Sequence, residues 1–303
     1  MHCFIILSGL LLSMGLYGQS FSELSKRAFE EYQNGQFAAS ADSYRQAFDL
    51  SEGRTSDYYN AACSYALSDQ ADKALFYLFL AAEKGWRNID HLKTDKDLLS
   101  LHDKEEWAEV LNQVQANKEA YEKDFDKELQ QKLEHIYIRD QTLRQLLNEA
   151  ENKFGRGSAE MNYYWSLIQK EDSICESLIL EVLDDRGWPG KSLVGGKANL
   201  AVWLVYQHAP LEIQEQYLPL LKESVAKGES QGSHLAMSED RILMRKGQAQ
   251  KYGSQITMDP DTGENTLYEL QDPSKVNEYR ASVGLGPLQE YAKRFGIEWQ
   301  PPE

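Results

Sequence analysis

The feature that most constrains this chain is an internal period. Ala28, Gly35, Tyr44 and Ala47 are followed thirty-four positions later by Ala62, Asp69, Leu78 and Ala81, and Ser40 by Ala74. A fixed spacing of that length predicts stacked copies of a helix–turn–helix unit rather than one closed core. The residue types suit the geometry. Small side chains at Ala28, Ala47, Ala62, Ala74 and Ala81 let antiparallel helices approach closely, while Phe29, Tyr32, Phe37, Tyr44, Tyr65 and Leu78 fill the space between hairpins. Gly35 fits the tight turn of the first hairpin, and Asp69 stands at the same place in the second.

From Phe21 to Trp86 this pattern resembles the tetratricopeptide repeat family. The resemblance implies a concave helical groove that holds a peptide or protein partner. Asn60 falls where such domains often present an amide to a ligand's backbone. The Lys/Asn pair of carboxylate-clamp versions is missing, since Ser25 and Phe29 stand there, so capture of acidic peptide tails is not implied. Two repeats leave an open apolar end that needs a cap. Residues 88–114 are expected to supply it. Asp97–Leu101 reads as a short helical turn. Asp103 reads as the N-cap of a helix with Glu106 three positions on and a stripe of Trp107, Val110, Leu111 and Val114. The string Asp97-Leu98-x-Ser100-Leu101-His102 followed by Trp107 resembles the ending found after such repeats in exported bacterial proteins.

With 303 residues the chain is too long for one ordinary helical domain. Its start, Phe4–Leu12, is apolar but too short to span a bilayer, and the small Gly18 precedes polar sequence. Residues 1–18 therefore read as a cleavable signal peptide, with an uncleaved anchor as the alternative, and the mature chain as periplasmic or extracellular. Removal would take Cys3 away. Cys63 and Cys175 lie in separate apolar helical patterns and read as free buried thiols. No other long apolar run exists, so no membrane insertion is expected after cleavage. The net charge is -16 with no Lys/Arg cluster, which argues against nucleic acid and anionic membranes as partners.

The expected fold class is mainly α: tetratricopeptide-like hairpins with their cap over 19–115, a charged helical connector over 116–132, and a second, mostly helical domain over 133–303 that carries one β-hairpin. In that second part Leu133, Ile136, Leu143, Leu146 and Leu147 predict one amphipathic helix, and Met161 to Leu183 a long one. Helices are expected over 198–209, 211–226 and 230–246. Strands at 252–258 and 266–270 flank a turn containing Asp259 and Gly263. Asp259, Asp261 and Glu264 suggest calcium, but the glycine comes one position too early for an EF-hand loop, so a plain hairpin turn is the better reading.

The second half also resembles a bacterial domain of unknown function often found after such repeats. The motifs that carry this are Asp140-Gln141-x-x-Arg144, Gly187-Trp188-Pro189, Trp203-Leu204-x-x-Gln207-His208, Glu239-Asp240-Arg241, and Gln250-x-Tyr252-Gly253-x-Gln255. The resemblance implies no activity. Residue by residue, His208 lies eight positions after Leu200 and four after Leu204, on the apolar stripe of its helix, and reads as a buried core histidine. Glu239 and Asp240 interrupt an apolar helix, and their expected partners are Arg144, Arg186, Arg241 or Arg280 in a structural ion-pair network. The rival arrangement is a polar site in which His208 and Glu239 or Asp240 act as acid and base, with Arg241 and Tyr252 beside them. Ligand contacts fall to Asn60, Arg144, Arg186, Gln207 and Gln255. HExxH, CxxC, P-loop and GxSxG patterns are absent, and neither a metal nor a cofactor is implied. The leading expectation is an exported binding or scaffold protein; the alternative is an enzyme of unknown class acting through the second domain.

Overall fold

A computed structural model describes residues 20–259 and 262–302. The segment read as a signal peptide, with Cys3 and Gly18, and Asp261 of the hairpin turn lie outside them. The fold is mainly α-helical. The chain divides into two compact units whose boundary falls between Lys123 and Asp124.

In the first unit α1 (Phe21–Gln33) and α2 (Phe37–Leu50) form one hairpin, and α3 (Thr55–Leu67) and α4 (Ala71–Glu83) the next. Ser20 opens α1 by accepting from the Glu23 amide at 3.3 Å, while the Glu23 carboxylate reaches back to the Ser20 amide at 2.7 Å. The first hairpin turns at Gly35 (φ 72) and the second at Asp69 (φ 59), the only non-glycine with positive φ among the described residues. Ala28, Ala47, Ala62 and Ala74 are wholly buried where the helices cross. Ser40, at the position of Ala74 in the next hairpin, is also sealed. Its hydroxyl donates to the Ala28 carbonyl at 2.7 Å, which offsets the cost of burying it. Between the hairpins Phe48 stacks on Tyr58 at 4.6 Å and meets Tyr77 at 5.3 Å. A short helix α5 (Ile89–Thr94), a 3-10 turn (Lys96–Leu101) and α6 (Glu105–Tyr121) close the apolar end with Leu92, Leu98, Leu101, Trp107 and Val110.

Two local expectations need correction here. Asp103 does not cap α6: the helix starts at Glu105, and Lys104, in the cap position, makes no side-chain hydrogen bond there. The stretch 116–132 is not one connector helix either. Residues 122–126 break it between α6 and α7 (Lys127–Gln145), and Asp126 caps α7 by accepting from the Leu129 amide at 3.0 Å. A run of charges specifies exposure but not helical continuity.

The second unit continues with α8 (Leu147–Phe154), α9 (Ala159–Arg186), α10 (Lys191–Tyr206), α11 (Leu211–Ala226) and α12 (Gly232–Arg245). The apolar series Leu133 to Leu147 does not form one helix; it breaks at Leu146, which is exposed. Helix α10 lies against α7 and α9, and α11 against α12. Their core contains Leu133, Ile136, Cys175, Ile179, Val202, Tyr206 and Leu221. Cys63 and Cys175 are both buried and free, one in each unit. Strands β1 (Ile256–Met258) and β2 (Asn265–Leu267) pair antiparallel, with Thr257 opposite Thr266. Short helices α13 (Val276–Ser282) and α14 (Leu288–Lys293) follow. Among the described residues no helix is long and apolar enough to cross a membrane.

Candidate functional site

The first unit carries an open groove of about 670 Å³ between α1 and α3, floored by Tyr44 of α2. Phe29 of α1 lines it and is 46% exposed, a large apolar surface left to water. Asn60 of α3 lines the same groove, half-buried, with its amide beside the Tyr44 hydroxyl; burial raises Tyr44 to about 12 and that contact partly offsets the rise. Asp57, one helical turn before Asn60, is almost sealed. Burial alone would raise its carboxyl, but the Arg54 guanidinium at 3.1 Å, the Arg54 amide at 2.8 Å and the Ser25 hydroxyl at 3.2 Å hold it below its ordinary range. Arg54 and Asp57 carry no motif; the i, i+3 spacing at a helix start is the one signal that pointed to their pairing.

In the second unit the distant motifs meet around α12. Asp240 is wholly buried, and four donors surround its carboxylate: the amides of Lys251 (2.7 Å), Tyr252 (3.0 Å) and Ser254 (2.9 Å), and the Ser254 hydroxyl (2.8 Å). Glu239 accepts from the Tyr252 hydroxyl at 3.0 Å and pairs with Lys222 at 2.7 Å. The carbonyl side of the same loop is held by Arg280, which donates to Tyr252 at 2.8 Å, and by Gln250, whose amide nitrogen donates to the Gln255 and Tyr268 carbonyls at 3.0 and 2.8 Å. Gly253 sits in this loop at φ 67, and a Cβ there would lie 2.8 Å from Leu288.

The expected arginine network around Glu239 and Asp240 therefore does not form. Backbone amides surround Asp240, and a lysine the sequence gave no reason to single out takes Glu239. Nor do His208 and these carboxylates make an acid–base pair, because the oxygens of both are committed elsewhere. His208 is not a core residue. Helix α10 ends at Tyr206, two residues before it, so the stripe read from Leu200 and Leu204 does not extend that far. His208 lies instead in the turn 207–209 and is exposed.

Gln214 fixes that turn, donating from its amide nitrogen to the Gln207 carbonyl at 2.7 Å and the Ala209 carbonyl at 3.3 Å. Arg241 adds a donation to the Gln207 carbonyl at 3.1 Å, and Arg245 one to the Ala209 carbonyl at 2.9 Å. Arg241 also approaches Gln255 Oε1 at 3.5 Å. Crowding by protein atoms, then the cations Arg144, Arg241 and Arg245, push the His208 imidazole down to about 4, with Asp172 opposing. Arg144 pairs with Asp172 at 2.6 Å and lies 3.9 Å from Asp140. Arg186 takes no part; it pairs with Asp185 at 2.9 Å and Asp126 at 3.3 Å. Of the expected residues, Gln207, His208, Arg241 and Gln255 come together, with Arg144 acting on His208 through its charge. Arg245 was missed, although it stands one helical turn after Arg241 and so on the same face. His234 of α12 is buried and stacked on Trp203 at 4.0 Å.

Comparison with known proteins is informative for the second unit. The sequence model of a family described only as a family of unknown function (DUF6624) matches residues 127–298, more than half of the chain. No curated protein and no solved structure gave a match. The matched span contains every motif that converges on α12 and the 207–209 turn, and the chain belongs to that family of unknown function.

Proposed function

We propose that this chain is a binding protein that takes up an extended peptide segment of a partner in the groove between α1 and α3. The observation that carries the reading is the pairing, in one open groove, of an exposed Phe29 ring with the Asn60 amide. An apolar anchor with a neutral amide beside it suits a peptide: the ring receives one side chain and the amide answers backbone groups. The tetratricopeptide reading belongs to this proposal. It is supported by the thirty-four-residue recurrence of small residues at the helix crossings and by the paired hairpins that result. With Asp57 neutralised by Arg54, and Ser25 and Phe29 in the clamp positions, the groove has no call for a terminal carboxylate.

Selection from a displayed random-peptide library on the full chain tests this. The selected peptides should share one apolar or aromatic residue, and Asn60→Ala and Phe29→Ala should each weaken them roughly tenfold, about 1.4 kcal/mol. Peptides that bind equally well to both variants, or a selection that yields none, would refute the groove as the site.

A further inference from the structure

Two arginines, Arg241 and Arg245, hold the 207–209 turn in the second unit. Arg241 and Arg245 stand four positions apart on α12, a spacing at which like charges repel. Among the described residues neither has a carboxylate within 4.0 Å, and both spend donors on neutral carbonyls beside His208. Arg241 is half-buried, and burial together with Arg245 lowers the pKa of its guanidinium. A guanidinium withdrawn from water beside a second cation is costly unless an anion accompanies it. The cost is the more notable in a chain of net charge -16, where acidic partners are plentiful. Of the charged groups that act most strongly on His208, Arg144, Arg241 and Arg245 are cations and Asp172, already paired with Arg144, is an anion. The remaining guanidinium nitrogens and the exposed imidazole leave several N–H donors at this turn.

We propose that the turn carrying His208, with Arg241 and Arg245, is a binding site for a tetrahedral oxyanion: phosphate, free or as the monoester of a small molecule. Guanidinium forks match such an anion in pairs, and their bonds to it are charge-assisted. The exposed His208, between the two carbonyls that the arginines hold, adds a further donor. This site lies in the other unit from the peptide groove and stands or falls independently of it.

The test uses the full chain with inorganic phosphate, phenyl phosphate and acetate at matched ionic strength, followed by calorimetry and by the NMR titration of the His208 ring. Phosphate, the ester or both should bind, and acetate should not. Bound anion should raise the His208 pKa by about one unit or more, because a neighbouring negative charge favours the imidazolium. Arg245→Gln and Arg241→Lys should each weaken binding roughly tenfold, the second by losing the fork while keeping the charge. Asn60→Ala should leave it unchanged. Preference between free phosphate and the ester tells which source the site serves. No binding of either, equal binding of acetate, an unmoved His208 titration, or binding untouched in both well-folded arginine variants would overturn the proposal.

Discussion

A carboxylate sealed from water usually recruits a cation; Asp240 recruits a loop. Its oxygens satisfy three consecutive-region amides and one hydroxyl between Lys251 and Ser254. Removing the side chain leaves those buried donors without partners, at about 1–3 kcal/mol for each one stranded. Asp240→Ala should therefore cost the full chain at least about 3 kcal/mol in denaturant unfolding, and Asp240→Asn, which turns one acceptor into a donor, somewhat less. A loss under about 1 kcal/mol for Asp240→Ala would show that the loop does not depend on this residue. The sequence made Asp240 conspicuous, since a charge inside an apolar helix needs a partner, but it named the wrong one. Side-chain partners can be guessed from charge; backbone amides of a loop cannot, because their direction is decided only when the chain folds.

At the scale of elements, the first unit was the more legible half. A repeat period fixes helix length, turn position and buried face together, and Gly35 and Asp69 both mark turns as read. Asp69 holds a left-handed backbone at φ 59, which costs a non-glycine residue on the order of 1 kcal/mol. Asp69→Gly should raise the stability of the chain by up to about 1 kcal/mol in thermal unfolding; a loss would mean that the aspartate side chain supports the turn in a way the geometry does not show. The second unit was legible in its long helices and hidden at their ends. Leu146 and Leu147 continue an apolar series in sequence, yet the helix breaks between α7 and α8. The misplacement of His208 has the same cause: α10 ends two residues before it, and periodicity has no way to announce where a helix stops unless a cap or proline marks it. Pro210 came too late to serve as that mark.

At the scale of the molecule, the excess of acid is spread along the chain, whereas at the 207–209 turn of the family-matched unit Arg241 and Arg245 have no paired carboxylate among the described residues. Function was the least legible level, because neither half carries a catalytic signature and the groove of the first unit is assembled from distant residues, Phe29 and Asn60 being thirty-one positions apart. Of its two contributions, Asn60 is marked in sequence by the tetratricopeptide resemblance, whereas Phe29 reads there as a packing residue and shows its exposed ring only across the α1–α3 gap. We propose that this gap takes a peptide. Hydrogen exchange of the full chain, with and without a library-selected peptide, reads it directly. A peptide held in the gap should slow exchange in α1 and α3 and leave α7 to α14 unchanged. Protection confined to the second unit, or none at saturating peptide, would contradict it.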